Sequence, residues 1–539
     1  MKEISRRTAI TTAMGAAAST AFSLMGCGGG SSGGTTGGTS PSGSVSSFDV
    51  VVFGATPSGI LAGMAAARMG ATVALIEPTH HVGGATTSGL GVADTIDHAS
   101  LGGLTAQFYL DIAAQYGNIS GSPQYSFEPH VAEALFLQYI ARFNLKVLKG
   151  VTVTSVARNG SRIRSVTLSD STVVQATQWI DASYEGDLMA LAGVTYAVGR
   201  ESSSQYGESL AGWGHQTALM PFAIDDANGN PWPDTQPNPN ETAGQADGMI
   251  MAYTFRTTLT TNPAILVPFP VPPNYDPSRY GLLAKFIKAA GINSVTELMS
   301  PQALPNQKYA LLSDTNISAD HAGANWTYPN ATPSARQAIW QDHYNYVAGW
   351  LYFLANDPSV PPTVRSQMSA YGLAADEYTD NGNWPWQMYV REARRLTGQY
   401  VMAQADMLTQ ITKSDSIAKG TWNFDSHYCG IFGMTEMWNG SLQTGIVFDG
   451  SFFESITPGY QIPFRSLLPN AGQVTNLAVS VCVSASHVGY SALRVEPTYM
   501  TLGEVAGVAT SLALQGNQDV ASVNVADLQA KLLSYKCVY

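Results

Sequence analysis

A chain that reads Asp49-Val50-Val51-Val52-Phe53, then Gly54-Ala55-Thr56-Pro57-Ser58-Gly59, then an alanine-rich stretch from Ile60 to Met69 has few folds open to it. The β-branched run predicts a buried parallel strand, and the stretch after the turn predicts a helix closed by Gly70. Strand, tight glycine turn and helix are the opening of a dinucleotide-binding unit. Gly54 would make the turn and Gly59 would let the helix pack closely, while Thr56 stands where the fingerprint has its middle glycine. The Thr56 hydroxyl is expected to donate to a phosphate at the helix N-terminus, beside Pro57 and Ser58.

A second predicted strand, Thr72 to Ile76, ends in Glu77, about 20 residues past the turn, where an acid accepts from the adenosine ribose hydroxyls. An acid here opposes a phosphate on the ribose, which favours FAD or NAD over NADP. The loop Val82 to Gly91 then supplies Gly83, Gly84, Thr87, Ser88 and Gly89. Its position resembles that of the loop that runs along the pyrophosphate toward the isoalloxazine in flavoproteins of the glutathione-reductase and fumarate-reductase classes, so FAD is expected.

Farther on, Phe127-Glu128-Pro129-His130 opens a predicted helix through Arg142, and Val147 to Val156 and Ile163 to Leu168 alternate as meander strands. Gln178-Trp179-Ile180 leads into Asp181-Ala182-Ser183-Tyr184-Glu185-Gly186-Asp187. This is similar to the end of the returning strand in the same flavoproteins, and Asp181, Ala182, Ser183, Glu185, Gly186 and Asp187 are assigned to the cofactor. From about Glu201 to Thr421 Pro, Asn, Trp and Tyr become frequent, which marks a substrate segment. Its aromatic residues, Trp384 and Trp386 among them, either stack on sugar rings or belong to the core. Arg391, Glu392, Arg394 and Arg395 read either as site residues or as structural ion pairs on a long helix.

The segment Cys482 to Ala509 holds His487, Arg494, Glu496, Pro497 and Met500. Pro497 suits the first turn of a helix reaching about Leu514, and a helix N-terminus aimed at a flavin would stabilise charge on the reduced ring. Taken with Gly199-Arg200-Glu201, Tyr389 to Arg395, Asp425-Ser426-His427 and Ile462-Pro463-Phe464-Arg465, these motifs resemble, in order, the FAD-dependent oxidoreductase family often labelled xanthan lyase-like. Phe464 stands where that family has Tyr. The resemblance implies an α/β fold, a discontinuous glutathione-reductase-type Rossmann FAD domain with an inserted substrate domain. The expected bounds are 48–200 and 422–515 for the FAD domain, 201–421 for the substrate domain and 516–539 for a tail.

Flavin oxidation of an alcohol or amine needs a base for the proton that leaves as hydride departs. His487 is the first candidate, with Arg494 seven residues on, and His427 beside Asp425 the second. His80 and His81 precede the Gly83 loop, although a non-covalent flavin is expected. Metal binding is not expected, because neither a His-Glu-x-x-His motif nor a cysteine cluster occurs. Cys429, Cys482 and Cys537 leave disulfide pairing open.

Twenty-seven Lys and Arg against 39 Asp and Glu oppose binding to nucleic acid. The first residues read as an address: Arg6-Arg7 before an apolar run from Ala13 to Leu24 has the layout of a twin-arginine export signal, and Leu24-Met25-Gly26-Cys27 resembles a lipobox. The signal would span 1–27 and a Gly/Ser/Thr tether 28–47. The expected protein is periplasmic or on the cell surface, with membrane contact only through lipid on Cys27. It would exchange hydride between flavin and a small polar organic molecule, such as a carbohydrate derivative, and pass electrons to or from a quinone, cytochrome or oxygen. The rivals are a polysaccharide lyase or a carbohydrate-binding protein with a structural flavin.

Overall fold

The computed structural model describes residues 45–539 apart from 218, 313–315, 439–440 and 458. The proposed signal, Cys27 and most of the tether lie outside the described residues. Strand β1 (Val45–Phe53) runs parallel to β2 (Val73–Glu77) on one side and to β6 (Val173–Asp181) on the other. β3 (Lys146–Lys149) extends the sheet beyond β2, also in parallel. The far edge of β6 is shared: Val173–Gln175 pair with the antiparallel meander strand β5 (Arg162–Leu168), while Trp179–Asp181 pair in parallel with the strand Leu477–Val479. β4 (Val153–Asn159) completes the meander. The run expected as one strand from Val147 to Val156 is therefore two, broken at Gly150, whose φ is +70°.

Burial on both faces explains the unbroken valines of β1. Val50 and Val52 join the core under the helices, whereas Val51 and Phe53 face the opposite core around Trp179 and Leu477. Helix α1 (Pro57–Arg68) begins at Thr56, whose side chain caps the Gly59 N–H, with Pro57 in the first turn, where no N–H is needed. It lies against the helix Glu496–Gln515 at a separation only glycine permits. A Cβ on Gly503 would stand 2.0 Å from the Ser58 carbonyl oxygen, and one on Gly507 2.2 Å from that of Ala62.

The substrate segment contributes a five-stranded antiparallel sheet centred on Thr258–Thr260 and the helix Pro333–Asn356. The hairpin Gly430–Trp438 and Ser441–Asp449, although inside the expected FAD portion, pairs with Gln236–Pro237 and so extends this segment. Residues Tyr389 to Arg395 are not helical: they run extended into the short strand Arg395–Leu396. Residues 516–539 are more than a tail, since the helix Val525–Ser534 buries Leu528 and Leu532 one turn apart. Among the described residues no helix is long and apolar enough to cross a membrane.

Replacing Gly503 by Ala should force the two long helices apart and lower stability by about 1–3 kcal/mol, the usual cost of overpacking. Gly516→Ala, whose added methyl would meet only the flexible Gln518 side chain, serves as the control. Thermal unfolding of the two variants checks the contrast.

Candidate active site

At the carboxyl ends of the parallel strands lies a cleft of about 890 Å³. Phe53, Gly54 and Thr56 form its floor, Glu77 and Thr152–Thr154 one end, and Ser183 to Glu185 with Asp187 a wall. Trp340, Trp386, Gln387 and Met388 close it from the substrate segment. Gly54 has φ +96°, and a Cβ there would stand 2.8 Å from the Ala182 carbonyl oxygen, so the turn and the returning strand meet only because the side chain is absent.

Glu77 accepts the Ala55 N–H and, through its other oxygen, the backbone and hydroxyl of Thr79, each at 2.8 Å. Burial pushes its pKa up to about 7 against the lowering effect of those bonds. The Thr56 hydroxyl is fully committed: it donates to Ala182 O at 2.8 Å and accepts from Gly59 N–H at 3.2 Å. It therefore has no hydrogen left for a phosphate, which corrects the expected role. Ser58 likewise turns away, its hydroxyl donating to Ser480 at 2.8 Å.

The second glycine loop is anchored on the first turn by Gly83 N–H to Ala55 O at 2.7 Å. Thr87 donates to Val82 O and Ser88 accepts from Gln387 N–H, so both hold the loop in place. Gly84 lies under Tyr184, and Gly89 passes so close to Arg256 that a Cβ would collide with its carbonyl. On the returning strand Asp181 accepts from Ser183 and from Met189 N–H, which makes it an organiser of the turn. Burial raises its pKa to about 6. Glu185 accepts from the Tyr328 hydroxyl, and Asp187 pairs with Arg336 and Arg394, each at 2.6 Å. Despite burial, those two arginines hold the Asp187 pKa below its ordinary value. Gly186, at φ +67°, caps the short helix Asp187–Leu191.

Tyr184 gathers three of these segments. Its hydroxyl accepts from Ala85 N–H at 2.9 Å and donates to Glu496 at 2.6 Å, at the start of the helix Glu496–Gln515. Pro497 and Met500 are buried behind it and line neither cavity. Burial drives the Glu496 pKa up to about 8.

A second cavity, about 440 Å³, is lined by Asp94, Arg256, Asp320, Tyr389, Asp425, His427 and Arg494 among others. His427 Nδ1 stands 2.7 Å from Asp320, whose other oxygen accepts from Arg391 at 2.9 Å. Donation from Nδ1 to Asp320 leaves the Nε2 lone pair, 3.7 Å from Asp425. Burial, helped by Arg391, lowers the His427 pKa, with Asp320 and Asp425 opposing. Arg494 donates through Nε and a terminal nitrogen to the Asp425 carbonyl. Burial raises the Asp94 carboxyl to about 6.

His487 does not reach this cavity. It is fully buried, its Nδ1 3.0 Å from both oxygens of Glu392 and its Nε2 3.2 Å from the Ser426 hydroxyl. His427 takes the place expected for His487, because His487 begins a buried helix one layer behind Ser426. Of the other candidates, His81 stacks on Trp386 and bonds Glu133 at 3.1 Å, and Trp384 is core. Cys429, Cys482 and Cys537 are free and buried.

An acidic acceptor at a strand end, a helix N-terminus at a glycine turn and a cleft within the usual size range of ligand sites fit a dinucleotide. The family model described as FAD dependent oxidoreductase matches residues 49–532, and the chain belongs to that family. Its parallel sheet with the glycine turn is a Rossmann-type α/β fold, and the family is one of FAD-dependent oxidoreductases. Among solved structures it is similar to a thioredoxin reductase from T. acidophilum, 24% identical over 25% of this chain and 34% of that one, with a TM-score of 0.18. THI4 from Thermovibrio ammonificans is 20% identical over 29% and 66%, with a TM-score of 0.22. A flavin-containing monooxygenase from Stenotrophomonas maltophilia is 22% identical over 30% and 44%, with a TM-score of 0.19. The matched part therefore covers less than two thirds of each of those chains. No curated protein matches.

The raised Glu496 pKa sets a sign. In flavin-free protein the native state keeps a proton that the unfolded chain releases, so stability falls as pH rises from the ordinary 4.5 to about 8. Glu496→Gln should flatten the dependence of the thermal midpoint on pH across that window. Parallel slopes in variant and parent would exclude a buried, protonated Glu496.

Proposed function

We propose that the long cleft holds FAD and the smaller cavity holds a small polar substrate, such as a carbohydrate derivative, with His427 as the proton-transferring base. One observation carries this reading: Met388 lines the cleft and its chain neighbour Tyr389 lines the cavity, so the two spaces adjoin at this point of the backbone. Glu77 would hold the ribose, and the turn at Gly54 with the N-terminus of α1 would face the pyrophosphate. Bound FAD supplies a two-electron hydride acceptor or donor.

In the oxidative direction His427 Nε2 would take the substrate proton, while FAD held in the cleft would supply the two-electron acceptor, served in turn by an external quinone, cytochrome or oxygen. Asp320 fixes the His427 tautomer and stabilises the imidazolium, as the acid of a catalytic triad does. Arg391 keeps Asp320 ionised. Tyr389, Phe452 and Phe453 give the cavity aromatic walls. The twin arginines and Cys27 support export of the folded, loaded protein and its attachment by lipid.

His427→Gln should retain FAD yet slow anaerobic flavin reduction by substrate by a factor of about 10². It should also remove the acidic limb of the rate profile, which lies below the usual imidazole range because the His427 pKa is lowered. His487→Gln should chiefly reduce stability. A screen of sugars, polyols and amines identifies the substrate, and cleavage of a polysaccharide without bleaching of the flavin would favour a lyase instead. Arg6→Lys with Arg7→Lys should hold the protein in the cytoplasm, as cell fractionation would show.

A further inference from the structure

One turn of the helix Pro333–Asn356 faces the segment that carries His321, with ring contacts from His321 to His343 and Tyr346. His321, Asp342 and His343 each offer a ligand atom there, and these atoms lie within 4.8 Å of one another. We propose that His321 Nδ1, the Asp342 carboxylate and His343 Nε2 bind one divalent cation of the zinc class.

Hydrogen bonding sets both imidazoles in the tautomer a metal requires. His343 is fully buried, and its Nδ1 donates to Ile339 O at 2.8 Å, one helical turn back. That leaves a lone pair on Nε2, which is buried without a hydrogen-bond partner. His321 shares its surroundings with Arg279 and Asp234. The terminal nitrogen of Arg279 that donates to Asp234 at 2.9 Å also lies 3.2 Å from His321 Nε2 and 3.0 Å from Asp342. His321 Nε2 is also 3.2 Å from the same Asp234 oxygen, and because a carboxylate only accepts, this contact makes Nε2 the donor. Its Nδ1 is left as a lone pair, again buried without a hydrogen-bond partner. Stacking on Tyr346, with ring centroids 4.2 Å apart, fixes the plane of the His321 ring.

The outer partners, a carboxylate behind one histidine and a carbonyl behind the other, are those that orient metal-binding imidazoles elsewhere. Charge agrees. One guanidinium, Arg279, faces two carboxylates, Asp234 and Asp342, so the cluster with neutral imidazoles carries a net charge of −1. Arg279 holds one oxygen of Asp342, and the other lies 3.5 Å from His321 Nδ1. The Asp342 side chain is 46% exposed, which gives a cation an entry path and leaves room for water as a further ligand. Two imidazoles and one carboxylate select a borderline cation, zinc before magnesium or calcium. The other comparable group, Glu128, His130 and Glu377, differs because the Lys308 ammonium already sits 2.7 Å from Glu128 and 2.8 Å from Glu377.

The test uses tag-free, full-length, flavin-loaded protein, dialysed and then titrated with Zn²⁺ or Co²⁺. Elemental analysis should give one zinc per chain, and Co²⁺ should show visible d–d bands. Both should vanish in His343→Gln and His321→Gln while the flavin spectrum and the His130→Gln control stay unchanged. Asp234→Asn should weaken affinity by about 10–100-fold, the usual cost of losing an outer partner. Absence of stoichiometric binding, or binding undiminished in both histidine variants, would overturn the site. If those variants fail to fold, X-ray absorption of the zinc-loaded parent decides: two imidazoles in the first shell are expected, and none refutes the proposal.

Discussion

The described fold depends on one close contact, between the first turns of α1 and the C-terminal helix Glu496–Gln515. Gly503 lies on the Ser58 carbonyl and Gly507 on that of Ala62, positions where any side chain would collide. The flavin domain is discontinuous, and this contact joins its two halves. It also brings Glu496 to Tyr184, and through Tyr184 to the second glycine loop. Both cavities then inherit their walls from that junction, since Tyr184 lines one and Arg494, two residues before Glu496, lines the other.

A second constraint is electrostatic. Between Arg391 and Arg395 four charged side chains are buried, and an extended backbone sends them in different directions. Arg391 meets Asp320, Glu392 meets His487, Arg394 meets Asp187, and Arg395 meets Glu201 and Glu392. Losing one partner of such a buried pair typically costs about 3–5 kcal/mol, because the other charge stays out of water. The ribbon thereby ties the returning strand, the substrate segment and the C-terminal segment to one register.

The parts legible from sequence are those written locally. The valines of β1, the turn at Gly54, Glu77 at the end of β2, the helix opened by Pro129 and the helix carrying Pro497 are all patterns within about 20 residues. Errors arose where distant partners decide. Arg391 to Arg395 has the charge spacing of a helix, yet each side chain has a different tertiary partner, and only extended backbone reaches them all. Thr56 resembles a phosphate donor, but the Ala182 carbonyl, just past the end of β6 and more than a hundred residues away, accepts its hydrogen bond. The smaller cavity is the least legible, for Asp94, Arg256, Asp320, Asp425 and Arg494 come from five separate stretches. The neighbouring Asp-His pairs at 320–321 and 342–343 were a faint signal, one half visible beside His427 and the other across Arg279.

The shared edge of β6 has a kinetic consequence. Its first residues find β5 immediately, but Trp179 to Asp181, paired with β1 on their inner side, have no outer partner until the strand Leu477–Val479 has been made, some three hundred residues later. Long-range parallel pairing of this kind is slow to form. During synthesis the nascent sheet therefore presents a bare hydrophobic border next to the site of the dinucleotide, and it is capped only as the last tenth or so of the chain emerges. Nonsense truncations beyond the substrate segment would leave an adhesive edge in place of a shortened, closed sheet.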